Sequence, residues 1–274
     1  MNYRHAFHAG NHTEVFKHAA LILVVEHLLQ KPQPFAVLDT HAGLGLYDLT
    51  SEPAQKTREY EQGVARVFGA DLAAARTYLD LLTAMNPVAL EAYPGSPEIV
   101  RRLLRGQDRL IACELHPADF ELLKARYRDD PRVFTHHRDG YEAIGAFTPP
   151  PERRGLVFID PPYEAKDEAQ RLALALAAGL RKWPTGTFMA WYPIKDRQIA
   201  ETLSDAAVAE AFPKTLRAEF LAGPEDGLTL AGGGLIICNA PWRLDEKLAA
   251  LGAELDGRLG AGGGRWAVDW LTAP

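Results

Sequence analysis

The chain has 274 residues, 47% of them apolar, and a net charge of −6. That length suits one large domain with a full core or a domain carrying an insertion, and the acidic balance argues against a protein that coats nucleic acid over its whole surface. The longest apolar-looking stretch, Leu172 to Leu180, is about half of the ~20 residues a membrane span needs, and the polar first residues do not read as a secretory signal.

The opening Tyr3-Arg-His-Ala-Phe-His-Ala-Gly-Asn-His12 and the following His18 carry four of the nine histidines. Zinc would need three or four converging ligands. Ala9-Gly10-Asn11 is poor helix between His8 and His12, and no H-E-x-x-H occurs, so no metal is expected. Residues 13–30 place Val15, Phe16, Ala19, Ala20 and Leu23 at helical spacing, with Thr13 as N-cap and Pro32 as a stop. Phe35 to Asp39 reads as a buried parallel strand. From 51 to 92 the pattern is helical with few strand formers, and Ser96 and Pro97 suit the N-cap and first position of a further helix.

Strands and helices then alternate: strands at Leu110–Glu114, Val133–His136, Leu156–Asp160 and Gly186–Tyr192, helices at Pro117–Arg128, Gly140–Phe147 and Glu168–Trp183. Two more strands, Leu216–Leu221 and Leu235–Asn239, are joined through Gly232-Gly233-Gly234. The pattern predicts an α/β fold with a mostly parallel seven-stranded sheet and helices on both faces. Its ligands should bind at the carboxyl ends of the strands. Cys113 and Cys238 lie in apolar strand-like runs without a CxxC; they read as buried thiols in a reducing cytoplasm.

The strand ends collect polar residues: Asp39-Thr-His41-Ala-Gly43-Leu-Gly45, Glu114-Leu-His, His137-Arg-Asp139-Gly140 and Asp160-Pro161-Pro162-Tyr163. The first is not a G-x-G-x-x-G fingerprint, because Asp48 stands where the third glycine would be. An acid followed by spaced glycines suits S-adenosylmethionine (SAM), although a tight strand-to-helix turn accounts for it equally well. Asp160-Pro-Pro-Tyr163 is more specific. The prolines stiffen the backbone. The carboxylate and nearby carbonyls can take both N–H groups of an exocyclic amine, and the tyrosine ring can stack on a flipped base. Asn239-Ala-Pro-Trp242 looks similar but reads as a structural turn with Trp242 packed.

Together with Leu38-Asp-Thr-His-Ala-Gly-Leu-Gly45, Tyr93-Pro-Gly-Ser-Pro97, Glu114-Leu-His-Pro117, Arg138-Asp-Gly140 and Trp191-Tyr-Pro193, these segments resemble the bacterial 23S ribosomal RNA (adenine-N6)-methyltransferases of the RlmJ type over nearly the whole chain. The resemblance implies a single Rossmann-like SAM-dependent methyltransferase domain, residues 1–274, with a small helical subdomain inserted at 51–95. It implies SAM contacts at His18, His41, Ser96, Glu114, Asp139, Gly140 and Asp160, with Asp160 also the catalytic acceptor, and a nucleic acid contact at Tyr3.

Beside these, Pro161 and Tyr163 are candidates for the catalytic end. Lys17, Asp39 and Gly43 are candidates for the cofactor, and Arg4, His5 and Tyr163 for the substrate. Residues 1–12 would form a mobile lid hinged at Gly10. The expected partner is 23S rRNA, free or in early assembly, acted on by a cytoplasmic monomer without metal or membrane attachment. Rival readings are a DNA adenine-N6-methyltransferase and a noncatalytic SAM-binding ribosome assembly factor. Arg101, Arg102, Arg105 and Lys124 are candidate RNA-facing residues.

Overall fold

In a computed structural model describing residues 4–260 and 265–273, helix α1 (His12–Leu29) leads into strand β1 (Ala36–Asp39). An excursion follows: β2 (Leu46–Asp48), α2 (Glu52–Thr57), a 3-10 turn at Glu59–Gln62, α3 (Val64–Val67), α4 (Arg76–Met85) and β3 (Ala92–Pro94). The chain then alternates through α5 (Ser96–Leu103), β4 (Arg109–Glu114), α6 (Pro117–Tyr127), β5 (Val133–His137), α7 (Gly140–Phe147), β6 (Gly155–Ile159), α8 (Glu168–Lys182) and β7 (Thr187–Ile194). It ends with α9 (Gln198–Ala209), β8 (Leu216–Leu221), β9 (Gly232–Cys238), α10 (Leu244–Leu259) and β10 (Arg265–Trp270).

The main sheet has the order β5-β4-β1-β6-β7-β9-β8-β10. β4, β5, β6 and β7 run parallel to β1. β9 runs against both β7 and β8, and β10 runs against β8. This is the Rossmann-like methyltransferase arrangement. Strand pleat sorts the core: Val37, Leu110 and Leu156 pack on one face with α1, α5 and α10, while Leu38, Ile111 and Val157 pack on the other with α7, α8 and α9. From β1 the chain moves outward to β4 and β5, then returns to β6 on the other side of β1. That reversal opens a crevice beyond the strand ends.

Several expectations need correction. The sheet has eight strands, not seven. The unexpected one, β10, leaves Arg265, Trp266 and Asp269 exposed and Ala267, Val268 and Trp270 partly buried, with no strict alternation to mark it, and pairs with β8 throughout. Asn11, not Thr13, caps α1: its side chain accepts from Glu14 N at 3.0 Å, and the Thr13 hydroxyl donates to it. Gly95 caps α5, because the Ser96 hydroxyl is turned to Asp39 instead.

The segment 51–95 is not wholly helical: β3 pairs with β2 as a separate two-stranded sheet. Gly232-Gly233-Gly234 is no connection but the first half of β9. A Cβ on Gly232 would lie 2.1 Å from Phe220 O, and one on Gly234 2.1 Å from Tyr192 Cζ. Asn239 does make a structural turn, donating to Pro184 O and Gly186 O, but Trp242 is 81% exposed rather than packed.

Candidate active site

The strand ends and the loops behind them border a cavity of about 1090 Å³, slightly above the roughly 300–1,000 Å³ usual for small-ligand sites. His18, His41, Gly43 and Ser96 line it, as do Glu114, Asp139 and Gly140. So do His5, Lys17, Asp160, Pro161 and Tyr163. Asp39 lies just beneath, fully buried. Arg4 is exposed and not part of the lining, and Tyr3 lies outside the described residues.

One half of the cavity is built from the ends of β1 and β4 and the cap of α7. Asp39 Oδ1 accepts from His41 N at 3.3 Å, whereas Oδ2 has no hydrogen-bond partner. Burial, aided by the nearby Asp160 charge, pushes its pKa up to about 7. Glu114 accepts from Gly43 N at 2.9 Å and His116 N at 2.7 Å, one amide per oxygen, which leaves acceptor capacity on each.

Asp139 caps α7 through Tyr141 N and Glu142 N. Gly140 has no room for a side chain, since a Cβ would sit 2.5 Å from Thr40 O. His41 bonds Thr40 Oγ1 and His18 bonds Tyr93 OH. Burial lowers their pKa values to about 4 and about 3, so both rings are neutral at physiological pH. An unpartnered buried carboxylate oxygen, open acceptors on Glu114 and a glycine-lined wall fit a cationic, hydroxyl-bearing ligand such as SAM.

The other half centres on Asp160, directly after β6. Lys17, on the first turns of α1, places Nζ 2.5 Å from Asp160 Oδ2 and 2.5 Å from Glu14 Oε1. Burial would lower the Lys17 pKa, but the two carboxylates outweigh it and hold it above the ordinary lysine value. Burial raises the Asp160 pKa, offset in part by Lys17. The Lys17 ammonium also sits 4.9 Å from the Trp191 ring centre. Tyr163 has a φ of +52°. Its hydroxyl donates to Trp191 O at 2.8 Å, and its ring meets the Trp191 ring edge-on at 5.8 Å.

Two histidines of the opening segment are engaged by acids. His5 Nε2 lies 2.7 Å from Glu14 Oε2, and His8 Nδ1 lies 2.8 Å from Glu59 Oε1. Gly10 takes a φ of +78° and its carbonyl accepts from Val64 N, so the segment rests on the 51–95 excursion. Among the described residues, no group of three or more His, Cys, Asp or Glu side chains is arranged to hold a metal.

Sequence reasoning missed Glu14 and Trp191. Glu14 was legible: it precedes Lys17 and His18 by three and four positions, which puts all three on one helix face. Trp191 depends on Gly233 of the neighbouring strand, whose Cβ would lie 2.6 Å from the indole nitrogen. The arginines offered as candidate RNA-facing residues are ion-paired here: Arg101 and Arg102 to Glu98, and Arg105 to Asp108.

Comparison with known proteins identifies the family. Residues 32–272 match the family described as ribosomal RNA large subunit methyltransferase D, RlmJ. The chain is 39% identical to ribosomal RNA large subunit methyltransferase J of Escherichia coli and 37% identical to that of Haemophilus influenzae, each covering 99% of both chains. A crystal structure of a Legionella pneumophila protein, 32% identical, superposes with a TM-score of 0.90 over 96% of this chain and 98% of that one. The chain belongs to the RlmJ family of ribosomal RNA large subunit methyltransferases.

Proposed function

We propose that this cavity transfers a methyl group from SAM to the exocyclic N6 of one adenine in 23S rRNA. The observation that carries the reading is Asp160-Pro161-Pro162-Tyr163 at the end of β6, lining a cavity with room for a cofactor and a base side by side. In this reading Glu114 holds the cofactor ribose and Asp139 its adenine amine. Asp39, His41, Gly43, Ser96 and His18 surround the methionine end. Bound there, SAM supplies an electrophilic methyl carried on a sulfonium.

The protein's part is positional and electrostatic. The Asp160 carboxylate accepts one N–H of the adenine amine, and the Pro161 carbonyl accepts the other. Both bonds favour a pyramidal nitrogen with its lone pair directed outward. Tyr163, fixed through its hydroxyl, offers its ring to the flipped base. After transfer the nitrogen holds one proton too many, and Asp160, whose pKa is raised by burial, is placed to take it.

The test is transfer from labelled SAM to protein-free 23S rRNA from cells lacking the enzyme, beside duplex DNA, with nucleoside analysis. N6-methyladenosine in RNA alone, lost by at least about 10²-fold in Asp160→Ala, is the expected result. Label in DNA, or at another atom, overturns it.

A further inference from the structure

Lys17 presents a difficulty for the chemistry just described. Its ammonium holds Asp160 Oδ2, at 2.5 Å, one of the two oxygens of the carboxylate that has to receive the substrate amine. Lys17 is only 2% exposed, so it cannot simply retreat into water when the base enters. A buried ammonium must keep a partner. One stands on the same helix: Glu14 Oε1, also 2.5 Å from Nζ. Glu14 is itself 2% exposed. Its backbone N–H is fixed by the Asn11 cap, and its second oxygen is held by His5 at 2.7 Å. The carboxylate therefore has a set orientation and one oxygen free to serve Lys17.

We propose that Glu14 is a positioning residue that draws Lys17 off Asp160. Before the target base arrives, the ammonium is shared between two carboxylates. When the adenine amine takes Asp160, Glu14 retains the ammonium, so no charge is stranded. The Trp191 ring beneath Nζ guides the short shift between them. No bond is made or broken in this exchange. Without the Glu14 charge, Lys17 has only Asp160 and stays there, competing with the amine. The proposal rests on the reading of Asp160 as amine acceptor.

The experiment compares wild type with Glu14→Gln, both loaded with S-adenosylhomocysteine. It measures affinity for adenosine and for inosine, which has an oxygen in place of the amine. Wild type is expected to prefer adenosine. In Glu14→Gln the adenosine affinity should fall to that of inosine, by roughly tenfold for one lost charged hydrogen bond. The S-adenosylhomocysteine affinity should stay unchanged.

Equal losses for adenosine, inosine and S-adenosylhomocysteine would mean that Glu14 only supports the fold, and an unchanged adenosine preference would mean that it does nothing for Asp160; either overturns the proposal. If Glu14→Gln does not fold, Lys17→Gln decides: adenosine binding equal to or tighter than wild type supports competition, and weaker binding overturns it. A wild type that does not prefer adenosine would instead count against the acceptor reading of Asp160 itself.

Discussion

The imidazole of His5 and the carboxylate of Glu14 meet at 2.7 Å, which joins the opening segment of the chain to the side chain that shares Lys17 with Asp160. The segment is also held from below by Glu59, through His8 and Asn11. Deleting residues 1–10 removes His5 and His8 but spares the Asn11 cap. Methyl transfer should then fall by about tenfold or more, as for loss of a covering loop, while SAM affinity measured by calorimetry stays within a small factor. Parallel loss of both would exclude a lid role for this segment.

Asp39 should make the cofactor-free protein less stable as pH rises. Its carboxyl titrates near pH 7 in the folded protein, against an ordinary value of 3.8. Between those values the folded state keeps a proton that the unfolded chain releases, so stability falls with rising pH through that window. Each unit of difference corresponds to about 1.4 kcal/mol at most. Asp39→Asn should melt several degrees higher than wild type at pH 8 and show no gain below pH 4. Thermal melts across that range check it, and a gain of equal size at both ends would discount Asp39 as the cause.

Tyr163 separates ring from hydroxyl. Tyr163→Phe loses the bond to Trp191 O, worth about 1 kcal/mol, and should lower kcat only severalfold. Tyr163→Ala also loses the stacking face, worth roughly 1–3 kcal/mol per base, and should lower kcat by about 10- to 100-fold. Single-turnover rates of the two variants decide between them; equal rates would remove stacking from the account.

Gly234→Ala should destabilise the fold without touching the site. The new methyl would fall 2.1 Å from Tyr192 Cζ, and that ring cannot swing aside, because its hydroxyl donates to the buried Glu219 at 2.6 Å. A cost of about 1–3 kcal/mol is expected for such overpacking. The urea midpoint should drop at constant m-value.

The sequence carried the central sheet well because apolar runs ending in Asp39, Glu114 and Asp160 are both strand cores and strand ends. The site residues read from those ends all border one cavity or, like Asp39, lie directly under it. What stayed hidden depended on partners distant in the chain. The triple glycine looks like a linker until Phe220 and Tyr192 are seen beside it. Arg101, Arg102 and Arg105 look like a free basic stripe in the sequence, but Glu98 on α5 pairs with the first two and Asp108 in the following turn pairs with the third. Lys17 and Asp160 are 143 positions apart, and no local pattern announces that they touch.

Strand β10 has a further effect. It covers β8 along its whole length, from Arg265 opposite Leu221 to Trp270 opposite Leu216. Stripped of it, β8 would offer a row of unpaired amides and carbonyls on a largely apolar strand, a ready template for another chain's strand. The rim that β10 puts in its place is broken by Arg265 and Asp269, charges that resist such pairing. The strand hardest to read from the sequence, and far from the chemistry, guards the molecule against aggregation.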